Sequence, residues 1–450
     1  MATEKDSMFG LDPTEQKRLF EQLQPAQRKR SQTQTRQRRD LAPVPERFGR
    51  INELPEYKQL LVHQVIAEKM DILNPFFTCH DGRAAGRTQI SGEEFLNFAT
   101  YDYLGLNGHP EVNAAAAAAM EAHGTSAGAS RLVAGERPPH IRLEKLLAET
   151  FSVDAALSFV SGHATNVSTL ATLLGPRDAV YHDALAHNSI ITGAILSGAK
   201  RYSYPHNDCE ALDRLLGQTR SEHERVVIAS EGLFSMDGSV LKLPELLEIK
   251  KKYTCFLMVD EAHSLGVLGA TGRGCAEHFG VDHREVDIWM GTLSKTLCGC
   301  GGFIAGSAEL IQLLKFRAPG FVYSVGMPPP IAAASAKAIE IMLREPERTA
   351  KIREKSAFFL KEAKNRGLNT GYAEGYAIIP IIVGNSLVAG ILAAAMFRRK
   401  INVLPIIYPA VEEGMARLRF FLSAVHDEQD CLSALDALVE ELPKALKKVG

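Results

Sequence analysis

The segment GTLSKTLCGCGG (residues 291–302) places one ammonium, Lys295, just after the hydroxyls of Thr292 and Ser294 and just before a glycine-rich turn. It follows the apolar run Ile288, Trp289 and Met290. A solvated lysine needs no such company. A lysine that bonds covalently to a phosphorylated cofactor does, because its amine is the nucleophile while hydroxyls and glycine backbone can hold phosphate.

The partners of such a cofactor can be sought elsewhere. In CFLMVDEAHSLGVLGATGRG, Cys255 to Val259 read as a buried strand, and Asp260 comes immediately after it. An acid there can simply cap the next helix. It can also pair with the pyridine nitrogen of pyridoxal phosphate and keep it protonated, which that cofactor needs as an electron sink. His263 could reach the same ring's oxygen, or be a structural histidine. YHDALAHNSI supplies His187 in a loop after a short strand, where its flat ring could stack on a planar cofactor.

SFVSGHATNVSTL reads as a strand, a Ser-Gly turn and a helix start. The N–H groups of Gly162, His163 and Ala164 would then face outward as a phosphate site, although a plain strand–helix connection has the same pattern. Arg417 and Arg419, in GMARLRFFLSAVHDE, fall two apart on a predicted strand and so on one face. They are surface charges, or one of them grips a carboxylate with its planar fork.

To bring these groups together the chain needs a sheet. ALSFVSG, DAVYHD, KRYSYPH, RVVIASEG, CFLMVDEAH, DIWMGTLS and GGFIAGS are short apolar runs ending in polar or glycine residues. Helix-patterned segments such as HIRLEKLLAETF and LPELLEIKKKY lie between them. That alternation predicts an α/β fold with a mainly parallel sheet covered on both faces. Ligands bind such sheets beyond the C-terminal strand ends, where the polar residues above fall.

The predicted organisation has four parts. Residues 1–45 form a basic extension expected to be mobile, and 46–97 a helix (PEYKQLLVHQVIAEKM) with a short β-region. Residues 98–331 form the large α/β domain. Residues 332–450 form a smaller α+β domain with strands in AIIPIIVG, INVLPII and ARLRFFLSA. In the extension, Asp12 or Thr14 would cap a short helix, and QRKRSQTQTRQRRD has no large apolar residue to bury. It reads as a solvated linker or as a basic docking arm for an acidic partner. Glu4, Asp6 and Asp12 argue against a mitochondrial presequence.

Bulk properties exclude several classes. A formal charge of −2 over 450 residues gives no pull toward nucleic acid or anionic membrane. Seven cysteines without CxxC spacing, and no secretory signal at the start, favour the cytoplasm, without structural disulfides or a metal. The apolar stretch 376–397 is broken by Pro380, Gly384, Asn385 and Ser386, so a strand and a helix are expected rather than a membrane span.

Longer stretches carry a resemblance. NFATYDYLGL, GTSAGASRLVAGERPPHIRLE, SEGLFSMDGSVLKLPEL, VDEAHSLGVLGATGRG, GTLSKTLCGCGG and ARLRFFLSAVH, running from about Phe95 to about Asp427, resemble the α-oxoamine synthase family. The resemblance implies the type I aminotransferase fold, a homodimer with shared active sites, and pyridoxal phosphate. The implied reaction is a decarboxylative Claisen-type condensation of an amino acid with an acyl thioester, carried by coenzyme A or an acyl carrier protein, giving an α-amino ketone.

Carried onto this chain, Lys295 is the lysine that bonds the cofactor and Asp260 the pyridinium partner. His187 is the stacking histidine, and His263 and Ser235 lie near the ring hydroxyl. Gly162 and His163 form the phosphate turn with Thr292 and Ser294, and Arg419 holds the substrate carboxylate. The chain departs from the pattern in three places. His163 stands where the phosphate turn usually has an aromatic residue. FVYSVGMPP leaves only Ser324 of a hydroxyl pair that reaches the neighbouring subunit's phosphate. Tyr101 replaces an asparagine, closer to the serine palmitoyltransferase branch, which implies a different acyl or carboxylate pocket. The alternatives are another fold type I reaction, transamination or lyase chemistry, and a non-catalytic partner subunit. Such partners tend to lose the lysine.

Overall fold

The computed structural model describes residues 44–69 and 76–449. The helix expected near Asp12 and Thr14 and the basic run 17–39 lie outside the described residues. Up to Ile66 the chain is a unit of its own, with short 3-10 turns at Glu46–Gly49 and Ile51–Glu53 before it enters the helix Pro55–Lys69. Proline at the first helical position lacks only an N–H that the helix could not use.

From Ala67 on the chain forms a second unit, whose described residues include thirteen strands. β1 (Arg87–Ile90) and β2 (Glu93–Asn97) make a hairpin. The main sheet comprises β3 (Ala155–Phe159), β4 (Ala179–Asp183), β5 (Lys200–Tyr204), β6 (Val226–Glu231), β7 (Phe256–Asp260), β8 (Ile288–Thr292) and β9 (Gly302–Gly306). Its order is β3-β9-β8-β7-β6-β4-β5, and β9 runs against both of its neighbours while the remaining strands are parallel.

Both faces of this sheet are covered, which is why its strands read as nearly unbroken apolar runs. Alternate residues of one strand point to opposite faces. Thus Val226 and Ile228 of β6, Leu257 and Val259 of β7, and Trp289 of β8 enter one buried cluster. Val227, Ala229, Met258, Ile288 and Met290 enter the other. Leu170 and Ile190, from the helices Gly162–Leu173 and Asn188–Ser197, close the second cluster. Leu212 and Leu246, from Cys209–Thr219 and Leu243–Tyr253, pack into the first.

One boundary differs from the sequence reading. β7 starts at Phe256 and includes Asp260 as its last residue. The Cys255 N–H is taken by the Lys250 carbonyl (3.1 Å) at the end of the preceding helix, so Cys255 belongs to that turn.

The C-terminal part carries β10 (Ile378–Gly384), β11 (Ile401–Asn402), β12 (Leu404–Ile406) and β13 (Ala416–Phe421). β13 lies antiparallel between β10 and β12. The single run INVLPII serves two sheets, because Ile401 and Asn402 pair in parallel with β2 before β12 joins β13. The stretch 376–397 resolves as expected into β10 and the helix Ser386–Arg398, with Asn385 Oδ1 accepting the Leu387 and Val388 N–H groups. Among the described residues, no helix is long and apolar enough to cross a membrane.

Candidate active site

β6, β7 and β8 end side by side, and their last residues are Glu231, Asp260 and Thr292. Lys295 follows three residues after β8, in a loop that closes on itself. Thr292 Oγ1 donates to the Gly301 carbonyl (2.9 Å), and the Gly299 N–H donates to the Leu293 carbonyl (2.7 Å). The half-buried Lys295 ammonium lies 5.6 Å from the centre of the Tyr101 ring. Burial pulls its pKa from 10.5 to about 8; Asp260 and Glu231 oppose that shift, and Arg419 adds to it. An amine so poised exists in both forms near neutral pH, as a proton-transfer group requires.

Asp260 is buried and its carboxylate is fixed from two sides. Oδ1 accepts the Ala262 N–H (2.9 Å) and Oδ2 accepts the Asn166 amide (2.9 Å). The same Asn166 nitrogen also donates to Ser189 Oγ (2.8 Å), which is hydrogen-bonded to His187 Nδ1 (2.7 Å). His187 is the N-cap of the helix Asn188–Ser197 rather than a free loop residue. Its ring remains exposed and sits 6.4 Å from that of His163. His263 is buried, with Nδ1 2.6 Å from the Tyr103 hydroxyl. Burial first, then the positive charges of Lys295 and Arg419, hold its pKa well below the usual imidazole range, so it is neutral.

The phosphate turn and the lysine loop meet directly. A Cβ on Gly302 would stand 2.7 Å from the Gly162 Cα, so that position accepts only glycine at this spacing, and a Cβ on Gly162 would crowd Thr292 Oγ1 at 3.0 Å. The helix Gly162–Leu173 starts here, and its first N–H groups have no intrahelical partner. Ser161 Oγ takes the Ala164 N–H (3.3 Å), so of the three predicted donors only Gly162 and His163 stay free for an anion. Ser294 Oγ lies 3.3 Å from Thr292 Oγ1 beside them.

The two arginines of β13 part company. Arg417 is buried and paired with Asp237 (2.7 Å), and it also donates to the Met236 carbonyl (2.9 Å). Arg419 donates through one nitrogen to the Ser235 carbonyl (2.9 Å) and stacks over Phe421 at 4.5 Å, and its buried Nε has no partner. Tyr101 packs edge-on against the same Phe421 at 4.8 Å. A cavity of about 340 Å³ opens beside Lys295, lined also by Thr100, Tyr101, Asp102 and Cys298.

Ser324 is not part of this cluster within one chain. Its loop packs on residues 127–131, where the Gly326 N–H bonds the Ala129 carbonyl (2.9 Å), and Ser324 shares no hydrogen bond with Thr292, Ser294 or Gly162. Three residues here went unassigned in the sequence: Asn166, Ser189 and Glu231. The first stands in the quoted helix start GHATN, which was the available signal.

Comparison with known proteins accords with this arrangement. A model of the family "aminotransferase class I and II" matches residues 93–438. The chain belongs to that family, among its α-oxoamine synthases. It is 40% identical to the 8-amino-7-oxononanoate synthase of Symbiobacterium thermophilum, over 79% of this chain and 90% of that protein. The enzyme of the same name from Geobacter sulfurreducens is also 40% identical, over 79% and 91%. Among solved structures, a serine palmitoyltransferase from Sphingomonas wittichii superposes with a TM-score of 0.83 at 27% identity, covering 87% of this chain and 98% of that one. The 8-amino-7-oxononanoate synthase of Francisella tularensis gives 0.67 at 26% identity, over 78% and 99%.

Proposed function

We propose that this chain joins an amino acid to an acyl thioester with loss of carbon dioxide, using pyridoxal phosphate, and releases an α-amino ketone. The observation that carries the reading is the half-buried Lys295, its pKa drawn to about 8, beside the buried carboxyl of Asp260 and Arg419, whose buried Nε has no partner. The residues present fit the cofactor. Gly162 and His163 offer free N–H groups beside two hydroxyls, and a fixed carboxylate stands at the neighbouring strand end.

When bound, pyridoxal phosphate supplies the electron sink that lets bonds at the substrate Cα break heterolytically. Lys295 would hold the cofactor through its amine, and that amine, with its lowered pKa, would take the substrate Cα proton and later return it. Asp260 keeps the pyridine nitrogen protonated, and Asn166 and Ala262 hold it in place for that task. His187 would hold one face of the cofactor ring, and neutral His263 and Ser235 would hold its ring oxygen. Arg419 grips the carboxylate of the amino acid, with Tyr101 shaping the same pocket.

The working unit in this reading is a homodimer. Ser324 lies between Tyr323 (87% exposed) and Val325 (52% exposed), a surface that a second copy would cover while bringing Ser324 to its phosphate turn. The donor in this reading is an acyl carrier protein, supported by the eight basic residues that accompany one acid, Glu21, over residues 17–39.

Borohydride treatment of the cofactor-loaded protein, followed by peptide mapping, tests the assignment of Lys295. Label on Lys295, with thiol and carbon dioxide released in equal amounts during turnover, is expected. Label elsewhere, or thiol release without carbon dioxide, defeats the reading.

A further inference from the structure

Glu231 ends β6 as Asp260 ends β7, and the two are direct partners in the parallel register, so both side chains leave the same face of the sheet. Both are buried, at 3% and 4% exposure. Their surroundings differ sharply. Asp260 has a donor on each oxygen, whereas Glu231 Oε2 receives the Ser235 N–H at a long 3.3 Å, with the His187 N–H a weaker influence on the same carboxyl. Glu231 Oε1 is sealed from solvent with no partner at all. Among the described residues no arginine, lysine or histidine forms an ion pair with it.

Two carboxylates side by side in a dry site, with one ammonium, Lys295, near both, do not both stay ionised, and the better-solvated one keeps the charge. Here that one is Asp260. We propose that Glu231 is a further positioning residue of the active site, a proton-bearing carboxyl that confines the single negative charge of the pair to Asp260, on the cofactor side. This rests on the reading of Asp260 as the cofactor's counter-charge. Burial and the neighbouring Asp260 raise the Glu231 pKa well above the carboxylate range, while the Ser235 N–H, Lys295 and the His187 N–H pull the other way. The remaining titratable or charged groups nearby are Arg419, one step away through the Ser235 carbonyl, His187, whose pKa burial lowers, and Glu261, next to Asp260, whose carboxyl burial pushes up to about 7.

A neutral Glu231 has an O–H to donate from Oε1, the atom that is otherwise unpartnered. Asp260 then faces the pyridine nitrogen as a full carboxylate, undiluted by a second charge that would bind the same proton. A glutamate charged at this position would instead compete for Lys295 and hold it protonated, against its role as a base.

The test uses the full chain, first without cofactor. The infrared difference between parent and Glu231→Gln at pH 7 is expected to show a protonated carboxyl stretch in the parent alone. Because the folded pKa is raised, the parent is most favoured below the ordinary carboxylate pKa and loses stability as pH rises toward the folded value. Glu231→Gln is therefore expected to melt higher than the parent at pH 7, with the gap widening from pH 5 upward. With pyridoxal phosphate added, the Gln variant should keep the parental dissociation constant and the parental pH profile of cofactor absorbance. Glu231→Leu, which cannot donate, should bind about tenfold more weakly and shift that profile.

Absence of the carboxyl band, or a Gln variant that melts lower and binds cofactor more weakly, overturns the proposal in favour of a charged Glu231 paired with Lys295. If Glu231→Gln does not fold, the same infrared difference taken against Glu231→Leu decides, because Glu261, raised to about 7 by burial, would show its own protonated band in the parent: a band at pH 7 in the parent alone supports the proposal and its absence sinks it. These cofactor-free readings stand apart from the borohydride label on Lys295, so either assignment can fail alone.

Discussion

Asn166 donates its side-chain amide to Asp260 Oδ2 at 2.9 Å, across the gap between the first turns of the helix Gly162–Leu173 and the end of β7. The helix that presents the phosphate turn thereby also aims the acid. Through Ser189 the same amide reaches His187, so one side chain links two of the groups proposed to hold the cofactor. Asn166→Leu keeps the approximate volume and removes the donor. Cofactor affinity is expected to fall about tenfold, the worth of one hydrogen bond to a charged group, as read by equilibrium dialysis. Unchanged affinity would make Asn166 a packing residue.

The charge on Asp260 can be separated from its hydrogen bonds. Asp260→Asn places an amide against the Asn166 amide or the Ala262 N–H, both of which need an acceptor. The double variant Asn166→Asp/Asp260→Asn restores a donor–acceptor pair but moves the charge to the helix. We expect it to recover melting temperature relative to Asp260→Asn, with turnover still down by about a hundredfold or more for want of a carboxylate at the pyridine nitrogen. Recovery of turnover along with stability would show that position 260 needs only a polar group.

Lys295 makes a prediction about pH. Its pKa is about 8 in the folded chain and 10.5 ordinarily, so above pH 8 the folded state gives up a proton that the unfolded state keeps. Stability therefore rises as pH climbs from 8 to 10.5, and the cost of the half-buried ammonium is full below 8. Lys295→Met carries no such cost. The cofactor-free variant is expected to melt higher than the parent at pH 7, by on the order of 2–4 °C, with the difference shrinking toward pH 10. Calorimetry that found a constant difference across this range would place the Lys295 pKa at its ordinary value.

Much of this was legible because the reacting groups sit where the sequence changes period. Asp260 follows a short apolar run directly and Gly162 and Lys295 come shortly after one, and an alternating βα chain puts such positions at one edge of its sheet. Glu231 stands in the same kind of place. Its meaning depends on the register between β6 and β7, which pairs it with Asp260 and which no single strand encodes. Asn166 and Ser189 lie inside helices, where a small polar residue looks like any other until the neighbouring helix is placed. Arg417 and Arg419 were indistinguishable by spacing, since only the Asp237 loop, brought from far along the chain, tells them apart.

The basic run 17–39 bears on the thioester donor. Carrier proteins are acidic, and attraction between opposite charges raises encounter rates in a salt-dependent way. Deleting residues 1–44 is expected to slow turnover with an acyl carrier donor at low salt, with the loss shrinking as salt rises, and to leave acyl-coenzyme A turnover unchanged. Equal rates for the two donors before and after deletion would assign the run no part in donor choice.

The last prediction separates the two arginines of β13. Arg417 neutralises Asp237 in a dry setting, both side chains being almost fully covered. Arg417→Met strands that carboxylate, a change that costs about 3–5 kcal/mol when one partner of a buried pair is lost. Melting temperature should drop, while whatever protein stays folded keeps its KM for the amino acid. Arg419 spends one nitrogen on the Ser235 carbonyl and leaves Nε buried without an acceptor, a cost that a substrate carboxylate would relieve. Arg419→Lys keeps the charge but loses the planar fork. It should leave the melting temperature near the parental value and raise KM for the amino acid about tenfold or more, with KM for the thioester unchanged. An Arg419 variant that altered only stability would move the carboxylate site elsewhere, with Tyr101 and the cavity beside Lys295 the next place to look.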